Sequence, residues 1–447
     1  MPRTLMYQIM CFIYRLLLAL FLGASVNTAL ADTISAQDAQ EDLLIQGRSF
    51  FHTPWVAAPS STTARDGLGP LFNANTCTSC HPTKMRTKPS LFDRNTYPDS
   101  TPPLRHFVAK LSQYSQHHHR TDNNITVPDP VYGYQIAVNG IPTVSPEAKL
   151  NIQAKEKLFT FADGYALPLR YWQVTLDNLT YGALSKGTAY SLRIAPFLMG
   201  LSWIEQIPIE NLQQQQAYQQ LYHPTLAGRV NQVYQPLDNN ITVGKFGWKA
   251  SQANLITQTA DAAFHDMGLT SLIYPHESCT QSQTDCLMAA KGRSTATEPH
   301  DLTFARLISM ARYTANLPLP KAIASEPRAS LEKGKKLFIT MQCAVCHQAE
   351  QKTAQGKPFY PYSDFLLHDM GDELADQRPE FEASGQEWRT APLWRNRYKT
   401  HFLHDGRART LLEAIAWHGG QAAVSRQHFQ QLSEQERHDL IQFLESL

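Results

Sequence analysis

Two pentapeptides of the form Cys-x-x-Cys-His constrain this chain more than any other feature: Cys77-Thr78-Ser79-Cys80-His81 and Cys343-Ala344-Val345-Cys346-His347. Each is the attachment signature of a c-type haem. Two thiols add across the vinyl groups, and the adjacent imidazole is held where it can reach the iron. One copy alone could be half of a zinc site. A zinc site, however, needs two further Cys or His ligands near each pair, and no second Cys-x-x-Cys follows either one. The two copies together predict two covalently bound haems, through Cys77/Cys80 and Cys343/Cys346, with His81 and His347 as axial ligands.

The N-terminus agrees with that chemistry. Arg3 and Arg15 supply positive charge, Leu16 to Val26 form a short apolar run, and Ala29-Leu30-Ala31 fits a cleavage site. Residues 1–31 therefore read as a signal peptide that sends the chain to the periplasm. The run is too short, and too close to Arg15, for an uncleaved anchor, so no stable membrane anchor is expected after cleavage. Met10 precedes Cys11 where a lipid-attachment motif needs a small residue, so a lipoprotein is not expected. Removing the leader takes away two arginines and no acids, turning a formal charge of +1 slightly negative. So balanced a chain gives no electrostatic case for nucleic acid or a membrane surface. Outside the leader and the two motifs, only Cys279 and Cys286 remain; in an oxidising compartment they are expected to form a short-loop disulfide.

Length allows two or three domains. A helical pattern, Glu41 to Phe51, precedes the first motif, and another, Leu331 to Phe338, leads into the second. Both contain Gly-x-x-[Leu/Phe]-Phe: Gly47 to Phe51 and Gly334 to Phe338. That order resembles the opening helix of cytochrome c domains, where the small Gly permits a close crossing and the aromatic packs on the porphyrin. Ser433-Glu434-Gln435-Glu436 is a capping box, followed by an apolar face of Leu440, Ile441, Phe443, Leu444 and Leu447. The expected fold class is mainly α, with two cytochrome c-type haem domains. The N-terminal domain (32–327) is enlarged by insertions with some short β-strands, and the C-terminal domain (328–447) is one compact unit. Alternation places strands in Tyr132 to Val138 and Leu167 to Thr175. His117-His118-His119 reads as a solvated loop, and Gln213 to Tyr222 as a polar helix with its glutamine run on the surface.

Several stretches resemble the bacterial di-haem oxidoreductase family, peroxidase-like proteins sometimes labelled thiol oxidoreductases. They are Asp66 to Asn73, Arg193-Ile194-Ala195-Pro196 with Gly200, Gly244 to Ala250, Leu366-Leu367-His368-Asp369-Met370-Gly371, Glu387 to Trp394, and Phe402 to Ala408. The family is similar in turn to the di-haem cytochrome c peroxidases and to the methylamine dehydrogenase maturation enzyme. In those proteins a C-terminal haem passes electrons and an N-terminal haem reacts with peroxide.

The resemblance implies particular roles. In the Phe-His-Asp-Gly stretch of those proteins, the distal ligand of the electron-transfer haem lies fourteen residues after the His. Here His404 points by that rule to His418. The residues agree: Thr410 and Glu413 cap a helix on which Leu411, Ile415 and His418 share a face. Met370 is the rival ligand. A weaker match makes Trp248 the inter-haem relay, with Gln258 and Asp266 lining the peroxide pocket and Glu205 as the rival acid. The calcium segment of the peroxidases lacks its Pro in Lys399 to His404, so the resemblance does not carry calcium over. The implied activity is peroxide reduction at the N-terminal haem, with a small cytochrome or cupredoxin as donor. A His ligand in place of Met lowers a haem's potential, which sits poorly with such a donor. Two alternatives therefore stand: a plain electron-transfer cytochrome, and an oxidase or maturation factor acting on an oxidisable partner protein. His106, His223, His265 and His276 all remain open as sixth ligand of the first haem.

Overall fold

The computed structural model describes residues 38–81, 106–113, 126–292, 299–319 and 328–447. The leader, the His117 to His119 run and residue 327 at the expected domain boundary lie outside them. Among the described residues, no helix is long and apolar enough to cross a membrane.

The same local arrangement occurs twice. The helix over 38–52 crosses the helix Phe304–Ala315 at Gly47, where a methyl group would come within 1.9 Å of the Ser309 carbonyl oxygen. The helix Arg328–Thr340 crosses Glu434–Ser446 at Gly334, where a methyl group would meet the Asp439 carbonyl oxygen at 2.1 Å. Only glycine lets the backbones approach so closely. Each crossing aims its aromatic, Phe51 or Phe338, into the wall of one central cavity. Ser433 closes a full capping box with Glu436 at the start of the last helix. Thr410 accepts the Glu413 N–H at 3.1 Å, but Glu413 returns its bond to the Arg409 N–H at 3.0 Å instead.

The strands depart from expectation, because they are not all short. Lys149–Thr160 and Ala166–Asp177 pair antiparallel along their whole length, Lys149 opposite Asp177 and Thr160 opposite Ala166. The first strand is charged on both faces at Lys155-Glu156-Lys157, so it carries no alternation to read. Both ends of this ribbon are apolar. At its base Leu150, Ile152, Val174 and Leu176 pack with Phe107, Leu111 and Ile136. At its tip Phe161, Leu167 and Leu169 enter the core of the C-terminal half beside Phe338, Phe429 and Leu440. Tyr132 to Val138 is mostly turn, with a strand only at Gln135–Ile136. That pair flanks Phe107–Gln113, whose other neighbour is Thr188–Ile194.

The two halves interlock in the other direction as well. Arg229 bridges to Leu367, and the Arg389 N–H donates to the Trp248 carbonyl at 2.9 Å. Buried charges knit this seam. Lys249 reaches Asp376 at 3.2 Å, and Arg193 contacts both Asp376 and, at 3.1 Å, Glu380. Losing one member of such a network typically costs about 3–5 kcal/mol, because its partner stays buried and uncompensated. Cys279 and Cys286 are bonded, as their spacing predicts.

Candidate functional site

One cavity of about 780 Å³ is lined by Cys77, Cys80 and His81 from the first motif and by Cys343, Cys346 and His347 from the second. The first motif is pinned from below. The Gly69 N–H donates to the Met267 carbonyl, and the Asn73 and Ala74 N–H groups both donate to the Asp266 carbonyl. The Asp66 to Asn73 stretch thus docks on the C-terminal end of the helix Leu255–Met267 and delivers Cys77 beside it. Thr76 then caps the short turn Cys77–Ser79 by accepting the Ser79 N–H at 3.2 Å.

Both motif histidines are oriented in the same way. His81 donates Nδ1–H to the Pro196 carbonyl at 3.1 Å, and His347 donates Nδ1–H to the Tyr362 carbonyl at 3.0 Å. A carbonyl only accepts, so the proton sits on Nδ1 and Nε2 is left as the ligand nitrogen. Burial lowers both imidazoles to about 4 and keeps them neutral, as a metal ligand must be. Burial also pushes the Cys77 and Cys343 thiols up to about 12.

His418 stands opposite His347, with ring centres 6.5 Å apart. Its Nδ1–H donates to the Ala414 carbonyl at 2.8 Å, which again frees Nε2. An iron bonded to two imidazole nitrogens at about 2 Å each separates the ring centres by roughly 6 Å. The spacing fits. Leu411, Ile415 and His418 all line the cavity, and so does Met370.

Two orphaned polar atoms face the same space. Gln258 Oε1 and Arg389 Nη1 are buried without a hydrogen-bond partner, and both residues line the cavity. Lys399 lines it too, its ammonium pushed down to about 7 by burial and by Arg389. Buried cations of this kind suit the carboxylates of a haem edge. The apolar lining, the paired thiols, the freed Nε2 atoms and these cations make a donor set that haem fits.

The chain matches the model of the family described as "Di-haem oxidoreductase, putative peroxidase" over residues 20–447. It belongs to that family. No curated protein matches the chain significantly. Among solved structures, a Kuenenia stuttgartiensis hydrazine synthase pressurised with 20 bar xenon is similar at 19% identity and a TM-score of 0.24. The match covers 38% of this di-haem oxidoreductase and 63% of that chain.

Of the other residues singled out in the sequence, the cavity gathers Trp248, Gln258 and Asp266. Trp248 donates its indole N–H to the Ile194 carbonyl at 2.9 Å, two residues before the Pro196 that holds His81. Asp266 Oδ1 accepts from Gln135 Nε2 at 2.9 Å. Burial raises its pKa against the opposing pull of that bond and of Lys110. Glu205 is elsewhere. Its carboxylate accepts the Leu255 N–H at 3.1 Å, satisfying an orphan donor in the first turn of the helix Leu255–Met267, and it is not among the cavity residues. The rival acid is a helix cap.

The four histidines left open as sixth ligand separate. His106 and His265 line the cavity, and His106 lies within electrostatic reach of His81. His276 lines only a second cavity of about 370 Å³, and His223 ends the helix Ile209–Tyr222 away from both. Lys110, Ser251, Asp261, His265 and Glu380 line the two cavities in common. Sequence reading missed Asp261, which accepts from Tyr274 Oη at 3.1 Å. It also missed the stack of Trp388 on His404, centres 3.8 Å apart, beneath Lys249 and Arg193. His404 and Trp388 both lie in quoted family stretches, but no spacing rule joins them.

Proposed function

We propose that this di-haem oxidoreductase reduces hydrogen peroxide at the His81 site, using electrons that enter at the His347–His418 site. The observation that carries the reading is the unlikeness of the two sites. A second imidazole stands across from His347, whereas a buried carboxylic acid, Asp266, lies within electrostatic reach of Cys77 in the His81 motif, and the cavity also holds the unpartnered Gln258 Oε1. Haem attached at each motif supplies one-electron chemistry, and at the first site an iron for peroxide.

The chain's own residues do the rest. Asp266, with Oδ1 tied to Gln135, exchanges the peroxide proton through Oδ2, taking it from the near oxygen and returning it to the leaving one. Its raised pKa brings that exchange closer to neutral pH. Gln258 orients the incoming peroxide by accepting its O–H at the unpartnered Oε1. The second cavity is the route by which a small polar oxidant arrives. The protein works in the periplasm, where a small cytochrome or cupredoxin delivers electrons.

A second reading, electron carriage alone, is favoured by His106, which lines the same cavity within electrostatic reach of His81. Intact mass should show two haem adducts, with no haem extracted by acid–acetone. The ferric optical spectrum should then hold a high-spin component that changes on adding peroxide. A purely low-spin spectrum indifferent to peroxide rejects catalysis and leaves the carrier.

A further inference from the structure

Beside the second attachment motif lies a buried pair with no part in that scheme. His368, on the strand Leu367–Asp369, sets Nε2 2.9 Å from Asp364 Oδ2. The same oxygen accepts Gln219 Nε2 at 2.8 Å, and Oδ1 accepts the Leu366 N–H at 3.0 Å. With Nε2 committed to the carboxylate, His368 turns Nδ1 towards Cys346 Sγ, 3.5 Å away. The network also grips the motif's backbone. Gln219 Nε2 donates to the Val345 carbonyl at 2.8 Å, and the Asp364 N–H to the Cys346 carbonyl at 2.9 Å. Gln219 is completely buried, on the far side of a helix whose glutamine run is otherwise largely exposed.

As a free thiol, Cys346 can offer its S–H to a neutral Nδ1. A thioether sulfur has no proton and is only a weak acceptor. Once haem is attached, a neutral Nδ1 would set lone pair against lone pair, and the proton must come from the imidazole. Cys346, Asp364 and His368 also place three donor atoms within 4.8 Å, enough to suggest a metal ion. Alkylation of the sulfur removes the thiolate such an ion would need.

We propose that His368, backed by Asp364 and Gln219, is a fixed imidazolium that hydrogen-bonds the Cys346 thioether and raises the reduction potential of the C-terminal haem. The inference rests on Cys346 being a haem attachment site. Burial opposes charging His368, but the Asp364 carboxylate and the Cys346 sulfur outweigh it and hold the imidazole well above its usual range. The imidazolium N–H meets the haem's attachment sulfur at 3.5 Å, whereas the Asp364 carboxylate, within 4.8 Å of that sulfur, is engaged by Gln219 and the Leu366 N–H as well as by the ring. The cation therefore favours the ferrous state, which carries one positive charge fewer. Two imidazole ligands lower a potential, and His368 partly restores it.

Redox titration of the C-terminal haem in the holoprotein tests this. His368→Gln leaves Asp364 buried and uncompensated. It should shift the ferric/ferrous equilibrium towards ferric by about tenfold, a fall of about 59 mV for one electron. His368→Gln with Asp364→Asn removes both charges and should recover part of that fall. An unchanged potential in the single variant overturns the proposal. So does a double variant that falls as far as the single, because packing damage would then explain both. ¹⁵N NMR of the wild-type holoprotein decides the matter without any variant. His368 should carry protons on both nitrogens at about pH 8, where an ordinary histidine is neutral; a singly protonated ring refutes the charge. A wild-type mass without an adduct at Cys346 would sink the parent reading instead, and is separately visible.

Discussion

The surroundings of His81 and of His347 begin alike and end differently. Each has a helix crossing at a glycine, a Cys-x-x-Cys turn, and a histidine whose Nδ1 is claimed by a backbone carbonyl. The difference lies in what else the fold brings to the cavity. Opposite His347 it brings His418, itself locked by the Ala414 carbonyl. Asp266 lies within electrostatic reach of Cys77, and the helix that carries it also brings Gln258, Asp261 and His265 to the cavity wall, part of which a second cavity shares. An attachment motif therefore specifies a cofactor and one ligand; the residues facing it decide between carrying electrons and using them.

The comparison breaks most sharply at Asp266. Asp266→Asn keeps the shape and the Gln135 contact but removes the exchangeable proton. A positioned acid–base group is typically worth about 10²–10⁴ in rate, so peroxide-dependent oxidation of an artificial donor should fall by that factor with haem content unchanged. Activity within a few-fold of wild type would strip the acid from the N-terminal site and make the two sites more alike.

The next effect tests the link between the sites. Trp248 lines the shared cavity and is tied by its indole N–H to the strand that leads to Pro196. Trp248→Phe should slow inter-haem electron transfer roughly tenfold, about 1.4 kcal/mol in barrier, while both haem spectra persist. Stopped-flow reduction followed at two wavelengths measures it, and an unchanged rate removes Trp248 from the route. The C-terminal site is tested by His418→Met. Thioether ligation favours ferrous iron, so the ferric/ferrous equilibrium should move towards ferrous by about tenfold, or about 59 mV. An unaltered potential and spectrum would hand the ligand role to Met370.

Much of the C-terminal site was legible because its parts are local. Thr410, Glu413 and His418 lie within one short helix and its exit, and Gly334, Phe338 and the motif follow one another. The N-terminal site was less so. Pro196 acts on His81 through a carbonyl oxygen, which any residue possesses, so no side-chain pattern announces it. Asp261 is one acid on an amphipathic helix until Tyr274 and His265 are packed around it. Lys249 and Asp376 meet only because the two halves interlock. Glu205 shows the opposite failure: named as the rival acid, it is spent by folding on the Leu255 N–H. Alternation in Leu167 to Thr175 announced the ribbon's second strand, while the first, charged on both faces at Lys155-Glu156-Lys157, escaped notice.

The smallest expected effect separates the sites by pH. His265 is packed against the rings of Phe264, Tyr134 and Tyr274, at 5.0, 5.8 and 5.9 Å. Burial lowers its pKa from 6.5 to about 4, against the opposing pull of Asp261. Between those values the unfolded chain binds a proton that the folded chain refuses, so stability falls as pH falls through the window and is unaffected above it. The iron-facing nitrogens of His347 and His418 would be protected from such titration by coordination. His265→Gln removes the titrating ring. The variant should be less stable at neutral pH through lost packing, yet its melting temperature should decline less steeply towards pH 4.5, closing the gap to wild type by a few degrees. Parallel melting curves across the window would show that His265 is not the group responsible. A changed haem spectrum in the same variant would make it a ligand of the first iron, leaving both irons faced by two histidines and the comparison without its contrast.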